Sequence, residues 1–247
     1  MLVDVVLLPA DLRPHHLTGR AVAVFDVLRA TTTMTAALAA GVREIRVFPD
    51  VASARAAAAA HADVATRLLC GETNCLAPEG FDLGNSPRDL DPARHAGRTV
   101  YMSTTNGTRA ILAAGPAPVR FAAAVVNASA VAAALAATGR DVTLLCAGTG
   151  GEVAMEDVLG CGAVIAGLQD LGRTDLAGDT ARIAARLFAA SRDRLRQTMA
   201  DSTGGRNVIG AKLDGDIDFA ARPDAVPVVG VIEGAEPVVR AWTPHAR

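Results

Sequence analysis

Aromatic side chains are scarce in this chain, at 3% of residues. Large rings therefore cannot fill the interior, and Ala, Val and Leu must do so in a sequence that is 51% hydrophobic. Small alanine faces suit helices that pack closely against a sheet. The four cysteines, Cys70, Cys75, Cys146 and Cys161, make no C-x-x-C pair, so the spacing of a structural zinc site is missing. So few cysteines in a chain of 247 residues fit a core without disulfides and a reducing, cytoplasmic setting. Basic excess is missing too. The net charge is -2 and the pI near 6.2, and without a basic stripe no nucleic-acid partner is expected. The opening residues MLVDVVLLPADLRPHH carry an acid and no basic region, so they read as a first strand rather than a secretion signal. Arg, His and Asp interrupt the longest Ala-rich stretches, so no membrane span is expected.

What is present is an alternation of short β-branched runs and helical patterns. Strands are expected at Leu2–Leu8, Ala21–Val27, Glu44–Phe48, Thr66–Cys70, Arg98–Met102, Ala123–Val126, Asp141–Cys146, Val226–Ile232 and Pro237–Trp242. The interior ones are apolar throughout, as strands covered on both faces are. Helices are expected at Thr32–Ala40, Ala52–Ala60, Gly107–Ala114, Ser129–Ala137, Met155–Leu171 and Thr180–Met199, the last with Asp179 as its N-cap. The pattern calls for an α/β fold, three-layer α/β/α with a mostly parallel sheet. A hairpin around Glu233-Gly234-Ala235 makes that sheet mixed. No linker divides the chain, so residues 1–247 read as one unit. A strand, a polar turn and an Ala-rich helix occur at Val24–Ala40 and again at Leu144–Leu168, a weak echo between halves of about 1–125 and 126–247.

Three expected strands run into polar turns. They are VFDVLRATTT with Asp26, Arg29, Thr31 and Thr32; YMSTTNGTRA with Thr105, Asn106, Gly107, Thr108 and Arg109; and LLCAGTGGEVAMED with Gly148, Glu156 and Asp157. Ligands of open α/β sheets bind outside the carboxyl ends of strands. Helix N-termini, close-approaching glycines, hydroxyls and an Arg fork there suit an anion. Helix capping is the plain alternative for each threonine. A fourth stretch, GETNCLAPEGFDLGNSPRDL with Glu72, Asn85 and Ser86, is too rich in Gly and Pro for a helix or strand, and long ordered loops are often functional. Asp26 sits at an apolar strand end, where an idle charge is costly. An ion pair with Arg29 would be its structural explanation. Asp26, Glu72, Glu156 and Asp157 supply carboxylates of the kind Mg²⁺ takes one or two at a time.

Familiar phosphoryl-transfer signatures fail in these turns. A cysteine phosphatase loop starting at Cys146 would need Arg where Glu152 stands. A dehalogenase-type pair starting at Asp26 would need Asp where Leu28 stands. GTGGEV has no P-loop Lys, and Val153 stands where the third Gly of a dinucleotide fingerprint belongs. The histidines His15, His16, His61, His95 and His245 show no metal or catalytic spacing.

Taken in order, FDVLRATTT, GFDLGNSP, STTNGTRA and CAG-x-G-G-x(4)-ED resemble the 2-phosphosulfolactate phosphatase family, from about Val3 to Pro227. The resemblance implies a Mg²⁺-dependent acid phosphatase that turns 2-phospho-3-sulfolactate into 3-sulfolactate and phosphate, a step toward coenzyme M, or that acts on a related phosphorylated 2-hydroxy acid. By position it implies Asp26, Arg29 and Asp157 in catalysis. It implies metal ligands among Asp26, Glu72, Glu156 and Asp157. Substrate contacts would come from Thr31, Thr32, Asn85, Ser86, Thr105, Asn106, Gly107, Thr108, Arg109 and Gly148. One departure is Ser202-Thr203-Gly204-Gly205, where relatives carry an SxHG-like pattern and this chain has no His. The partner implied is a small phosphate ester, and the family analogy together with the apolar strand edges points to a homodimer. The competing reading is a non-catalytic binding module for a phosphorylated or sulfonated small acid.

Overall fold

Strand β2 (Ala21–Phe25) is buried on both sides. Its side chains alternate across the sheet. Ala21, Ala23 and Phe25 enter one core, and Val22 and Val24 the other. The same split divides Val142 and Leu144 from Leu145 on β7 (Val142–Cys146). Two cores on two faces of one sheet make the three-layer α/β/α architecture. The computed structural model describes residues 1–172 and 174–243; His245 lies outside them.

The remaining strands are β1 (Leu2–Val6), β3 (Glu44–Val47), β4 (Arg67–Gly71), β5 (Thr99–Ser103), β6 (Val119–Ala123), β8 (Asp175–Leu176), β9 (Gly230–Glu233) and β10 (Val238–Ala241). The helices are α1 (Ala30–Ala39), α2 (Val51–Ala59), α3 (Pro92–His95), α4 (Gly107–Ala113), α5 (Ala128–Ala137), α6 (Met155–Asp170), α7 (Asp179–Ser191), α8 (Leu195–Ala200), α9 (Thr203–Gly210) and α10 (Gly215–Ala220). Local chemistry sets several starts. Asp50 caps α2 by accepting from the Ser53 N–H at 2.7 Å, and the Ser202 hydroxyl caps α9 by accepting from the Gly205 N–H at 2.9 Å.

The strand order is β4-β5-β3-β10-β9-β6-β2-β7-β1-β8. One parallel block holds β4, β5 and β3, and another holds β6, β2, β7, β1 and β8. The β9–β10 hairpin, turning at Gly234, joins them by antiparallel pairing. Those antiparallel steps make β5 run opposite to β2. Sheet twist, about 20–25° per strand, accumulates to roughly 100–125° between β2 and β5. This brings the carboxyl ends of both blocks toward one crevice.

Three expectations change. The strand expected at Ala123–Val126 is β6 at Val119–Ala123, and residues Val125–Asn127 form a 3-10 turn. Arg120 interrupts the apolar run of the true strand, while the Asn127 side chain accepts from the Ala124 N–H and ends it. The helix expected over Thr180–Met199 breaks at a 3-10 turn, Arg192–Arg194. Its N-cap is Gly178 rather than Asp179, which instead meets Arg182 at 3.5 Å. None of the described helices is long and apolar enough to cross a membrane.

Candidate active site

All four polar segments meet at a crevice of about 210 Å³. Its walls include Asp26, Leu28 and Arg29 after β2, Thr105 and Asn106 after β5, and Thr149 and Gly150 after β7. Glu72, Asn74, Cys75 and Asn85 enter from the long loop after β4, and Gly204 and Asn207 from α9.

Asp26 is the deepest acid on these walls, 7% exposed. Its Oδ1 accepts from the Ala30 N–H at 3.1 Å, at the first turn of α1. Its main chain is held by Thr31, whose hydroxyl accepts from the Asp26 N–H at 3.1 Å and donates to the Asp26 carbonyl at 2.9 Å. Burial, reinforced by the charges of Glu72 and Glu156, pushes the Asp26 carboxyl up to about 7. Gly107 makes room for it. A methyl group on Gly107 would lie 2.7 Å from Asp26 Oδ2 and 2.7 Å from the Ala30 methyl.

Glu72 ties the long loop to the turn after β5. Its Oε1 accepts from the Thr105 N–H at 2.6 Å and its Oε2 from the Cys75 N–H at 3.0 Å. Asn106 bridges two turns by accepting from the Gly150 N–H at 3.2 Å. Asn85 is 3% exposed, and its side-chain oxygen has no hydrogen-bond partner. A buried, unpaired polar atom beside a polar crevice has an unmet hydrogen-bonding need there.

Arg29 does not pair with Asp26. Its guanidinium donates to Asp216 Oδ2 on α10 at 2.8 Å and to the Cys75 carbonyl at 2.5 Å. The Ser86 hydroxyl donates to the other oxygen, Asp216 Oδ1, at 2.7 Å. Arg29 and Asp216 are both buried. Removing one partner of such a pair costs about 3–5 kcal/mol, because the other charge is left alone in a low-dielectric interior.

Asp157 and Glu156 open α6 beside the crevice, although neither is among the lining residues. Asp157 accepts from the Val27 N–H at 2.8 Å and from the Gly148 N–H at 3.0 Å. Burial first, then the neighbouring Cys146, Glu156 and Asp26, raises its carboxyl well above the usual range. Burial also raises Glu156, whose Oε2 has no hydrogen-bond partner. Gly204 packs directly on it, and a methyl group there would collide with Glu156 Oε1.

Other positions named from the sequence lie outside the lining. Thr32 is fully buried, its hydroxyl donating to the Val27 carbonyl at 2.7 Å. Thr108 pairs with Thr104, each accepting from the other's N–H, at 3.0 and 3.2 Å. Arg109 is exposed on α4. The sequence reading missed Asn74, Cys75, Asn207 and Asp216. Asp216 in particular sits in a short helix that begins at Gly215, with no motif around it. All four cysteines are free, and the hydrogen bond with Cys161, then burial, raises the Cys146 thiol well above its usual value. Among the described residues no three His, Cys, Asp or Glu side chains are grouped to hold a metal on their own.

The chain's relatives agree with one another. A sequence model described as 2-phosphosulpholactate phosphatase matches residues 6–235. A protein of Synechococcus sp. (strain JA-3-3Ab), named "Probable 2-phosphosulfolactate phosphatase", is 38% identical over 226 residues, covering 90% of this chain and 91% of its own. Proteins of the same name from Deinococcus radiodurans, 38% identical over 92% of this chain and 97% of theirs, and from Thermotoga petrophila, 34% identical over 92% and 94%, match as broadly. With its polar turns gathered at one crevice and this likeness running nearly end to end, the chain belongs to the 2-phosphosulpholactate phosphatase family.

Proposed function

We propose that the crevice hydrolyses a small phosphomonoester carrying a second acidic group, 2-phospho-3-sulfolactate or a related phosphorylated 2-hydroxy acid, with Mg²⁺. The observation that carries this reading is the charge on the walls. Asp26 and Glu72 are acids, and the one cation among the described lining residues, Arg29, is already matched by Asp216. Such a crevice repels a phosphate dianion unless a divalent cation enters with it.

The donor set fits that ion. Mg²⁺ prefers oxygen ligands, takes one or two carboxylates, and fills the rest of its shell with water and substrate phosphate. Asp26, Glu72 and the unpaired Asn85 oxygen provide this. When bound, Mg²⁺ supplies polarisation of the phosphoryl group and offsets its charge.

The remaining work falls to the chain. Arg29, held at two points, keeps N–H donors for the phosphoryl oxygens, and the amides of Asn106 and Asn207 and the hydroxyls of Thr105 and Thr149 complete the polar wall. Asp26 stands at the phosphoryl group as the reacting carboxylate. Asp157 acts through main chain, fixing Val27 and Gly148 and so the turns on either side of Asp26. No described lining residue is aromatic, so nothing is there to stack a nucleobase, and the small volume favours a compact polyanion.

A screen of phosphomonoesters with and without Mg²⁺ tests the reading. Phosphate release from phospholactate-type esters, lost in excess EDTA and restored by Mg²⁺, is expected. Binding without phosphate release would make the protein a binding module, and full activity in EDTA would remove the metal from the account.

A further inference from the structure

We infer that Asp216 is a positioning residue for phosphate binding, holding Arg29 and the Asn85–Ser86 loop in one arrangement around the crevice. The inference rests on the phosphatase reading above for its ligand, but not for its geometry.

A guanidinium has five N–H donors in one plane, so fixing two of them fixes the direction of the rest. Asp216 Oδ2 fixes one at 2.8 Å and the Cys75 carbonyl another at 2.5 Å. The other oxygen of the same carboxylate takes the Ser86 hydroxyl at 2.7 Å. Ser86 directly follows Asn85, whose unpaired oxygen is buried at the crevice. The main-chain carbonyl of Asn85 in turn accepts from the Thr33 hydroxyl at 3.0 Å. One carboxylate on α10 therefore joins the turn after β2, 187 residues away at Arg29, to the loop after β4, 130 residues away at Ser86.

Asp216 is itself fully buried and lies behind the lining residues rather than among them. It does not touch the ligand. Its effect passes through Arg29 and Ser86, and through the charge it sets against Arg29. A purely structural ion pair would lower stability when broken and leave the affinity of folded protein for phosphate unchanged.

The test is calorimetric titration of inorganic phosphate with Mg²⁺ present, on wild type, Asp216→Asn, Arg29→Lys and the double variant, alongside steady-state kinetics. Asp216→Asn is expected to weaken phosphate binding about tenfold or more and to raise KM similarly, since a charged hydrogen-bond pair is lost behind the anion's donor. In the Arg29→Lys background, which lacks the fork, the same change is expected to cost less than about threefold. Phosphate affinity of folded Asp216→Asn within about twofold of wild type overturns the inference, as does full additivity in the double variant. If Asp216→Asn does not fold, Ser86→Ala replaces it. That change leaves the charge in place and is expected to weaken phosphate binding by about threefold to tenfold, and unchanged binding overturns the inference. Wild type that binds phosphate but releases none from esters defeats the phosphatase reading alone, and the variants still judge Asp216. Wild type that neither binds nor releases phosphate defeats both.

Discussion

Asp157 accepts from the Val27 N–H at 2.8 Å with one carboxyl oxygen, 130 residues away in sequence, and from the Gly148 N–H with the other at 3.0 Å. A single side chain at the start of α6 thus closes two turns, those after β2 and β7. Asp26 directly precedes Val27, so the position of the carboxylate proposed to react depends on this contact.

Asp157→Ala strands two buried N–H groups, each costing about 1–3 kcal/mol. Urea denaturation is expected to show a loss in that range or above, with the m-value unchanged. Loss of stability below about 0.5 kcal/mol would mean that Asp157 does not hold these turns.

Asp26→Asn separates function from stability. The folded state raises this carboxyl from 3.8 to about 7, so ionising it costs the fold. Stability from this group is present at low pH and is lost as pH rises from its unfolded value through about 7. Without divalent cation at pH 8, the variant is expected to melt higher than wild type, by roughly 2–4 °C for each kcal/mol recovered. At pH 4 the gain should vanish. A variant that melts lower at pH 8 would contradict the buried-charge account.

Gly107→Ala places a methyl carbon 2.7 Å from Asp26 Oδ2. Glycine's helix-start role could be filled by alanine, and only the close approach forbids it. Activity is expected to fall about tenfold or more while the helix content by circular dichroism stays the same, because small misplacement of a reacting group is costly. Unchanged kcat/KM would show that Asp26 can shift without consequence.

His95 gives a pH test away from the crevice. It is 2% exposed, and its Nδ1 accepts from the Asp91 N–H at 2.9 Å. Burial, then Arg94 and Arg98, lowers it from 6.5, so the fold keeps it neutral. Its contribution is complete above 6.5 and is lost as pH falls below that value toward the lowered one. The stability difference between wild type and His95→Asn, from denaturant melts, should therefore shrink between about pH 7.5 and 5.5. A difference that grows on acidification contradicts the assignment.

The sheet was legible because its strands are doubly buried and nearly free of charge, as in Ala21–Phe25 and Val142–Cys146. It failed where a charge enters a strand, at Arg120, and where a strand is as short as Asp175–Leu176. The turns after β2, β5 and β7 stood out by composition, since Thr, Asn and Gly are unusual beside apolar runs. What could not be read was which acid each cation would choose. Asp26 is three residues from Arg29 and looks like its partner, yet Asp216 takes it from α10. That helix carries Gly215 at its start and follows the glycine-rich α9, so neither propensity nor pattern announces it. The fixing of Glu72 and Asp157 by main-chain N–H groups was equally hidden, because such contacts depend on the folded course of the chain and not on residue type.

The central claim is that Asp26 performs phosphoryl chemistry at a crevice needing a divalent cation. Its most direct test is phosphate release from 2-phospho-3-sulfolactate by wild type and Asp26→Asn at saturating Mg²⁺, each repeated in excess EDTA. The account predicts turnover by wild type with Mg²⁺, a loss of about 10³-fold or more in the variant, and none by either protein in EDTA. Turnover by Asp26→Asn within tenfold of wild type would contradict it.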